Sequence, residues 1–149
     1  MQFWKYYTRL WWVLFILPLL VFFYLVNFQK DIVLNVLIFV IIQFIIWTFL
    51  KYFFFKERPK KLKYYNFWTK IDASSFPSMH SAMTFLLFLF SLYYLNYTYS
   101  VLFFLFWLSI SYSRIVLKKH FYIDIFSGMV LSSVIFFVFL AVNLWLFYL

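Results

Sequence analysis

Hydrophobic residues run along this chain in long stretches that are bounded by charged residues and rarely by glycine or proline. A membrane-spanning helix needs about 20 mostly apolar residues. The first stretch is uncharged from Leu10 to Gln29 and the second from Ile32 to Leu50, with only Lys30 and Asp31 between them. This pattern predicts a tight helical hairpin. A cleaved signal peptide is the alternative for the first stretch, but no small-residue cleavage site follows it, which favours a retained helix.

The second half of the chain has no formal charge from Ala73 to Ser113, which is too long for one span. The polar run Asn96-Tyr97-Thr98-Tyr99 predicts a break there into two helices. We therefore expect three further helices, the third beginning near Pro77 or Met79, the fourth running from about Ser100 towards Leu117, and the fifth from Ile125 to Leu149.

Composition identifies lipid as the solvent of these helices. Of 149 residues, 68% are hydrophobic and 30% aromatic, and a soluble chain this short has too little interior to bury so much apolar surface. We expect an all-α polytopic membrane bundle of about five transmembrane helices, in one domain over residues 1–149. Because the chain has no cysteine, disulfides, thiolate metal sites and a cysteine nucleophile are excluded.

The charge balance predicts anionic partners. Thirteen Lys and Arg stand against four Asp and Glu, which for a membrane protein indicates lipid headgroups or phosphorylated ligands. Nucleic acid is not expected, because no soluble basic surface remains to dock it. The connection Lys51–Asp72 carries seven of the thirteen basic residues, interleaved with aromatic ones, a mixture typical of a membrane interface.

The basic residues are distributed unequally between the two membrane faces. If the helices cross the bilayer alternately, twelve of the thirteen lie on one face and Lys30 alone on the other. That asymmetry favours a cytoplasmic location for the basic face. Membrane topology alone accounts for five of these basic residues, for which we expect no further role: Lys5, Arg9, Lys60, Lys61 and Lys63.

Both histidines, His80 and His120, lie where an apolar stretch meets the basic face. A lone histidine in a membrane helix is often only a packing residue. The neighbouring residues therefore determine whether a chemical role is indicated. His120 and Asp124 are four residues apart and share a face on a continuous helix, where the carboxylate can accept the ring N–H and fix one tautomer. The other ring nitrogen is then free to attack.

Three cations accompany the histidines. Lys51 and Arg58 are seven residues apart, so both can point into one pocket if the second helix continues, with Pro59 ending it. Arg114 adds a guanidinium fork, which suits paired phosphate oxygens. Three cations match the charge of a phosphate group.

The start of the third predicted helix is a candidate anion site. Pro77 fits the first-turn preference for proline and leaves backbone N–H groups near Ser78 and Met79 free. His80, one turn inside, can donate a proton to a leaving oxygen.

These residues resemble the three signatures of the type 2 phosphatidic acid phosphatase family, which also includes vanadium haloperoxidases and glucose-6-phosphatase. The order and spacing agree at ten positions. They read K-x6-R-P at Lys51, Arg58 and Pro59, P-S-x-H at Pro77, Ser78 and His80, and S-R-x5-H-x3-D at Ser113, Arg114, His120 and Asp124. Gly128 also stands where family members commonly carry a glycine that allows close helix packing.

The resemblance implies a membrane lipid phosphatase with its active site in loops at one membrane face. His120 would form a phosphohistidine, Asp124 would orient it, and His80 would protonate the leaving group. Lys51, Arg58, Arg114 and Ser78 would hold the phosphoryl oxygens, with no metal or cofactor. The substrate would be a lipid phosphate or polyprenyl diphosphate, and the composition suggests a bacterial cytoplasmic membrane.

Three questions stay open in the sequence. Met79 stands where the family usually has glycine, which leaves a catalytically silent scaffold or headgroup-binding protein as the alternative. Haloperoxidase chemistry is disfavoured because those relatives are soluble. Relatives usually have six helices and an extracytoplasmic site, whereas five helices are expected here and the charge distribution favours the cytoplasm. By family precedent we expect the site to be extracytoplasmic.

Overall fold

The computed structural model describes residues 17–147. Within them, residues 17–25 are helical and are called α1, and a turn follows at 26–28. The other helices are α2 (Lys30–Phe53), α3 (Phe67–Ala73), α4 (Met79–Tyr94), α5 (Tyr97–Val116) and α6 (Tyr122–Phe147). In this described part the only β pairing is an isolated bridge between Glu57 and Ser74. The chain is therefore all-α, as predicted.

The apolar stretches located the described long helices to within a few residues, and the part of the first stretch before residue 17 lies outside the described residues. The break between the third and fourth predicted helices lies at Leu95 and Asn96, where the Asn96 side chain caps α5 by accepting from the backbone N–H of Tyr99 at 3.3 Å. The hairpin turn lies at 26–28, earlier than predicted, because Lys30 and Asp31 belong to the first turn of α2. An acid is favourable there, beside the positive end of the helix dipole.

The connection after α2 contains one helix that the sequence analysis did not predict. α3 is only seven residues long and starts at a capping box between Asn66 and Thr69. The Asn66 side chain accepts from the backbone N–H of Thr69 at 2.9 Å, and the Thr69 hydroxyl accepts from the backbone N–H of Asn66 at 2.9 Å. This reciprocal pair stabilises a helix that is too short to show an apolar period.

α4 is the central helix and packs against α2, α5 and α6. It buries every residue from 81 to 87. At the end of the bundle away from the α4 N-terminus, an aromatic core joins α1, α4, α5 and α6 through Phe22, Phe90, Phe103 and Phe139.

The outer faces of the long helices are apolar and exposed, as lipid solvation requires. Ile45 on α2 is 61% exposed and Phe137 on α6 is 68% exposed. Three described helices are long and apolar enough to cross a membrane, over Lys30–Phe53, Tyr97–Val116 and Tyr122–Trp145, and α4 is a shorter apolar helix. The chain is an integral membrane protein with a helical-bundle fold.

Candidate active site

Four helix ends meet at one end of the bundle: the C-termini of α2 and α5 and the N-termini of α4 and α6. The backbone N–H of Ser78 donates to the carbonyl of Asp124 at 2.9 Å, which joins the start of α4 to the first turn of α6. The N–H of Lys60 donates to the carbonyl of Lys118 at 3.2 Å, which joins the two connections at this end. The signature residues, although spread over 74 positions from 51 to 124, therefore converge.

His120 is placed by the way α5 ends. Lys118 adopts a left-handed φ of 52°, the N–H of Lys118 donates to the carbonyl of Ile115 at 2.9 Å, and that of Lys119 donates to Arg114 at 3.0 Å. This pair of bonds is a Schellman motif, which turns the chain sharply after a helix. His120 follows directly and is 4% exposed.

The ring of His120 is held by a backbone carbonyl. Its Nδ1 lies 2.7 Å from the carbonyl oxygen of Ser75. Because a carbonyl can only accept, Nδ1 carries the hydrogen and Nε2 carries the lone pair. Burial first, and then the charges of Lys51 and Arg58, lower the pKa of His120 well below its ordinary value. The ring is therefore neutral and nucleophilic at Nε2 near pH 7.

Asp124 does not accept the ring N–H of His120, which the four-residue spacing led us to expect. α6 begins at Tyr122, so His120 precedes the helix, and Oδ2 of Asp124 lies 3.9 Å from Nδ1. Oδ2 instead accepts from the backbone N–H of Phe121 at 2.8 Å, which caps α6, and Oδ1 accepts from Nζ of Lys56 at 2.8 Å. The carboxylate is close enough to interact with the His120 ring through its charge, but it does not form a hydrogen bond with the ring.

Lys51 and Arg58 are not brought together by helical periodicity, because α2 ends at Phe53. The expectation that Pro59 stops α2 is wrong for the same reason. Lys51 is 2% exposed, and its ammonium donates to the carbonyl oxygens of Ile71, at 3.3 Å, and Ser74. Two of its three hydrogens thus hold the end of α3.

Arg58 reaches the site from the non-helical connection after α2. Its Nη2 donates to Oδ1 of Asp72 at 3.3 Å, whereas its buried Nε has no hydrogen-bond partner in the protein. Burial lowers the pKa of Arg58, and Asp72 opposes that shift. The charges of Arg58 and Lys51 both act on His120, so the two cations do share one site.

The second histidine lies among the same cations. His80 is half-buried in the first turn of α4, and the positive charges acting on it include those of Arg114 and Lys119. Arg114 is 1% exposed in the last turn of α5. Lys119 was not predicted, since no signature contains it; burial and then the charge of Arg114 lower its pKa to about 8.

α4 begins at Met79, one of the two starts that the sequence predicted. Ser78 is the N-cap and Met79 the first helical residue, so Pro77 precedes the helix and does not occupy its first turn. Ser78 is fully buried, and its hydroxyl has no hydrogen-bond partner in the protein. The indole N–H of Trp47 donates to the carbonyl of Pro77 at 3.1 Å and holds this segment against α2.

Gly128 lets α6 pack against the start of α4, whereas the hydroxyl of Ser113 bonds within α5. A Cβ at Gly128 would lie 2.9 Å from the carbonyl oxygen of Ser78, so only glycine lets α6 approach the α4 N-terminus this closely. The hydroxyl of Ser113 donates to its own helix, to the carbonyl of Ile110 at 2.7 Å.

Within residues 17–147 no group of three or more His, Asp or Glu side chains is arranged to hold a metal ion.

Comparison with known proteins gives the family. The PAP2 superfamily model matches residues 32–148, which include α2 from its third residue, α3 to α6 and every signature residue. The chain belongs to the PAP2 superfamily. Neither a curated protein nor a solved structure matches it. Membership in the PAP2 superfamily supports a phosphatase that acts on lipid-type phosphoesters in a membrane.

Two PAP2 site contacts lay beyond sequence reasoning. Ser75 acts through its backbone carbonyl, which every residue possesses, so no residue type could reveal it. Lys56 pairs with Asp124, which is 68 positions away in the sequence. Nothing in the sequence distinguished it from the other basic residues of the connection after α2.

Proposed function

We propose that this PAP2 protein is a metal-independent lipid phosphatase that transfers the phosphoryl group of a lipid phosphate or polyprenyl diphosphate to His120 and then to water. The observation that carries the proposal is the buried ring of His120, which donates from Nδ1 to Ser75 at 2.7 Å and keeps Nε2 unprotonated among cations. A neutral imidazole with a fixed tautomer is the form that attacks phosphorus.

In the first half-reaction, the Nε2 lone pair of His120 forms a bond to phosphorus as the bond between phosphorus and the leaving oxygen breaks. His80, in its imidazolium form, gives a proton to that oxygen and becomes neutral. The charge on the three remaining phosphoryl oxygens is stabilised by Lys51, Arg58 and Arg114. The Arg58 Nε and the Ser78 hydroxyl, both buried without a protein partner, are additional donors for these oxygens.

In the second half-reaction, water attacks the phosphohistidine. Neutral His80 takes a proton from the water, the bond between phosphorus and Nε2 breaks, and inorganic phosphate leaves with His120 neutral again. The carboxylate of Asp124, 3.9 Å from Nδ1, stabilises the positive charge that the ring carries while it is phosphorylated.

The test is phosphate release by the purified protein in detergent micelles. Phosphatidate, phosphatidylglycerophosphate, undecaprenyl diphosphate and lipid A are supplied side by side, with a chelator present. We expect release from at least one substrate, and none from His120→Ala. Lys61→Ala is the matched control, because Lys61 is 78% exposed and pairs with Glu57 at 2.7 Å outside the site. Equal release by His120→Ala would contradict the mechanism, and tight lipid binding without any release would favour a silent headgroup-binding protein.

A further inference from the structure

Lys56 occupies one of the unspecified positions between Lys51 and Arg58 in the first signature, and it contacts the site on two sides. Its Nζ donates to Oδ1 of Asp124 at 2.8 Å and lies 4.5 Å from the centre of the Phe121 ring. The Lys56 side chain is 37% exposed, whereas that of Asp124 is fully buried. The lysine thus reaches from the surface to compensate a buried charge.

The backbone of Lys56 holds the other partner of His120. The N–H of Ser75 donates to the carbonyl of Lys56 at 2.7 Å, and the Ser74 hydroxyl accepts from the N–H of Lys56 at 3.4 Å. The carbonyl of Ser75 in turn accepts from His120. One residue therefore fixes the carbonyl that sets the tautomer and the carboxylate that lies beside the ring.

We propose that Lys56 is a positioning residue that compensates the Asp124 carboxylate, so that His120 remains unprotonated until it attacks. An uncompensated carboxylate 3.9 Å from Nδ1 would favour the imidazolium form, which has no lone pair for phosphorus. After transfer, the same carboxylate is already in place to stabilise the charged ring.

The surroundings of His120 make this compensation specific. Positive charge reaches the ring from Lys51 on α2 and from Arg58 on the connection after α2, and His80 faces it from α4. On the α6 side the charged group is Asp124, 3.9 Å away. Removing the positive charge of Lys56 therefore leaves the Asp124 carboxylate, the one anion among these groups around His120, without a compensating cation.

The proposal rests on His120 as the nucleophile, but its test does not require turnover. The chain has two histidines, so ¹³C-histidine labelling gives two ring signals, and His80→Gln leaves the His120 signal alone. We expect Lys56→Gln to raise the titration midpoint of His120 by about one pH unit. The acid limb of kcat/KM should move by the same amount. Lys56→Arg should restore the original midpoint, and Lys61→Gln, which removes an equal charge at the surface, should leave it unchanged.

An unchanged His120 midpoint in folded Lys56→Gln would overturn the proposal even if the protein is an active phosphatase. If Lys56→Gln does not fold because a buried carboxylate is uncompensated, adding Asp124→Asn should restore folding. Failure of this double variant to fold would also contradict the proposed role.

Discussion

Nδ1 of His120 donates to the carbonyl oxygen of Ser75 at 2.7 Å, whereas the nearest oxygen of Asp124 lies 3.9 Å away. A carbonyl fixes the tautomer without a net charge, so it does not promote protonation as strongly as a hydrogen-bonded carboxylate would. The ring is thereby held in its neutral form. In the proposed mechanism, the carboxylate acts on the ring only once positive charge develops there.

The first prediction concerns stability at low pH. Burial and nearby cations hold the pKa of His120 well below 6.5, its ordinary value, so the unfolded chain binds more protons below that pH. This contribution to stability is complete above about pH 6.5 and is lost as pH falls, with a limiting slope of about 1.4 kcal/mol per unit. Thermal unfolding in detergent between pH 5 and 8 should show a smaller loss for His120→Gln than for the unsubstituted protein. Parallel pH curves would contradict the buried, neutral ring.

The second prediction concerns the buried hydroxyl of Ser78. An N-cap serine usually contributes about 1 kcal/mol, but Ser78 makes no side-chain capping bond. Ser78→Ala should therefore leave the melting temperature nearly unchanged while it weakens inhibition by inorganic phosphate about tenfold.

Ser91→Ala is the matched control for Ser78. Ser91 is equally buried on α4, and its hydroxyl donates to the carbonyl of Phe88 at 2.7 Å, far from the site. Ser91→Ala should leave inhibition by inorganic phosphate unaltered. A loss of stability without a change in phosphate inhibition in Ser78→Ala would show that this hydroxyl serves the fold.

The third prediction concerns the close approach of α6 to α4. On an open helix surface, Gly→Ala stabilises by about 1 kcal/mol. At Gly128 the new Cβ would lie 2.9 Å from the carbonyl of Ser78, which is backbone and cannot rotate away. Gly128→Ala should instead destabilise the fold by about 1–3 kcal/mol and raise KM, whereas Ser127→Ala at the preceding position should do neither. Increased stability would show that the two helices are not in backbone contact.

Apolar runs were sufficient to find the long helices, because lipid solvation requires nearly every residue of a span to be apolar. They could not find α3, whose signal is the capping pair of Asn66 and Thr69 and not a hydrophobic period. The capping pattern was readable in the sequence but is only four residues long.

The signatures predicted which side chains converge but not how they are connected. Helical spacing suggested that His120 and Asp124 pair and that Lys51 and Arg58 share a helix, and both inferences assumed helices longer than α6 and α2 are. The actual contacts use a backbone carbonyl and a lysine 68 positions away from Asp124. Such tertiary contacts depend on the paths of the connecting loops, which the local sequence does not specify.

The fourth prediction concerns the side of the membrane. Family precedent favours an extracytoplasmic site, whereas the basic residues favour the cytoplasm. The chain has no cysteine, so Lys61→Cys provides a single thiol beside the site, and Tyr97→Cys, at a 79% exposed position, provides one at the opposite end of the bundle. In intact cells an impermeant maleimide should label Lys61→Cys alone. Labelling of Tyr97→Cys alone would place the site in the cytoplasm.

Direct trapping of the phosphorylated intermediate tests whether His120 carries the phosphoryl group. A ³²P-labelled lipid phosphate is mixed with the protein, the reaction is stopped with alkali and detergent within milliseconds, and the labelled peptides are mapped. We expect an acid-labile, alkali-stable label on the peptide that contains His120, and no label in His120→Gln. His80→Gln should accumulate more label with a good leaving group, because water is then activated poorly. Turnover with no label on His120, or a label on His80, would contradict the mechanism.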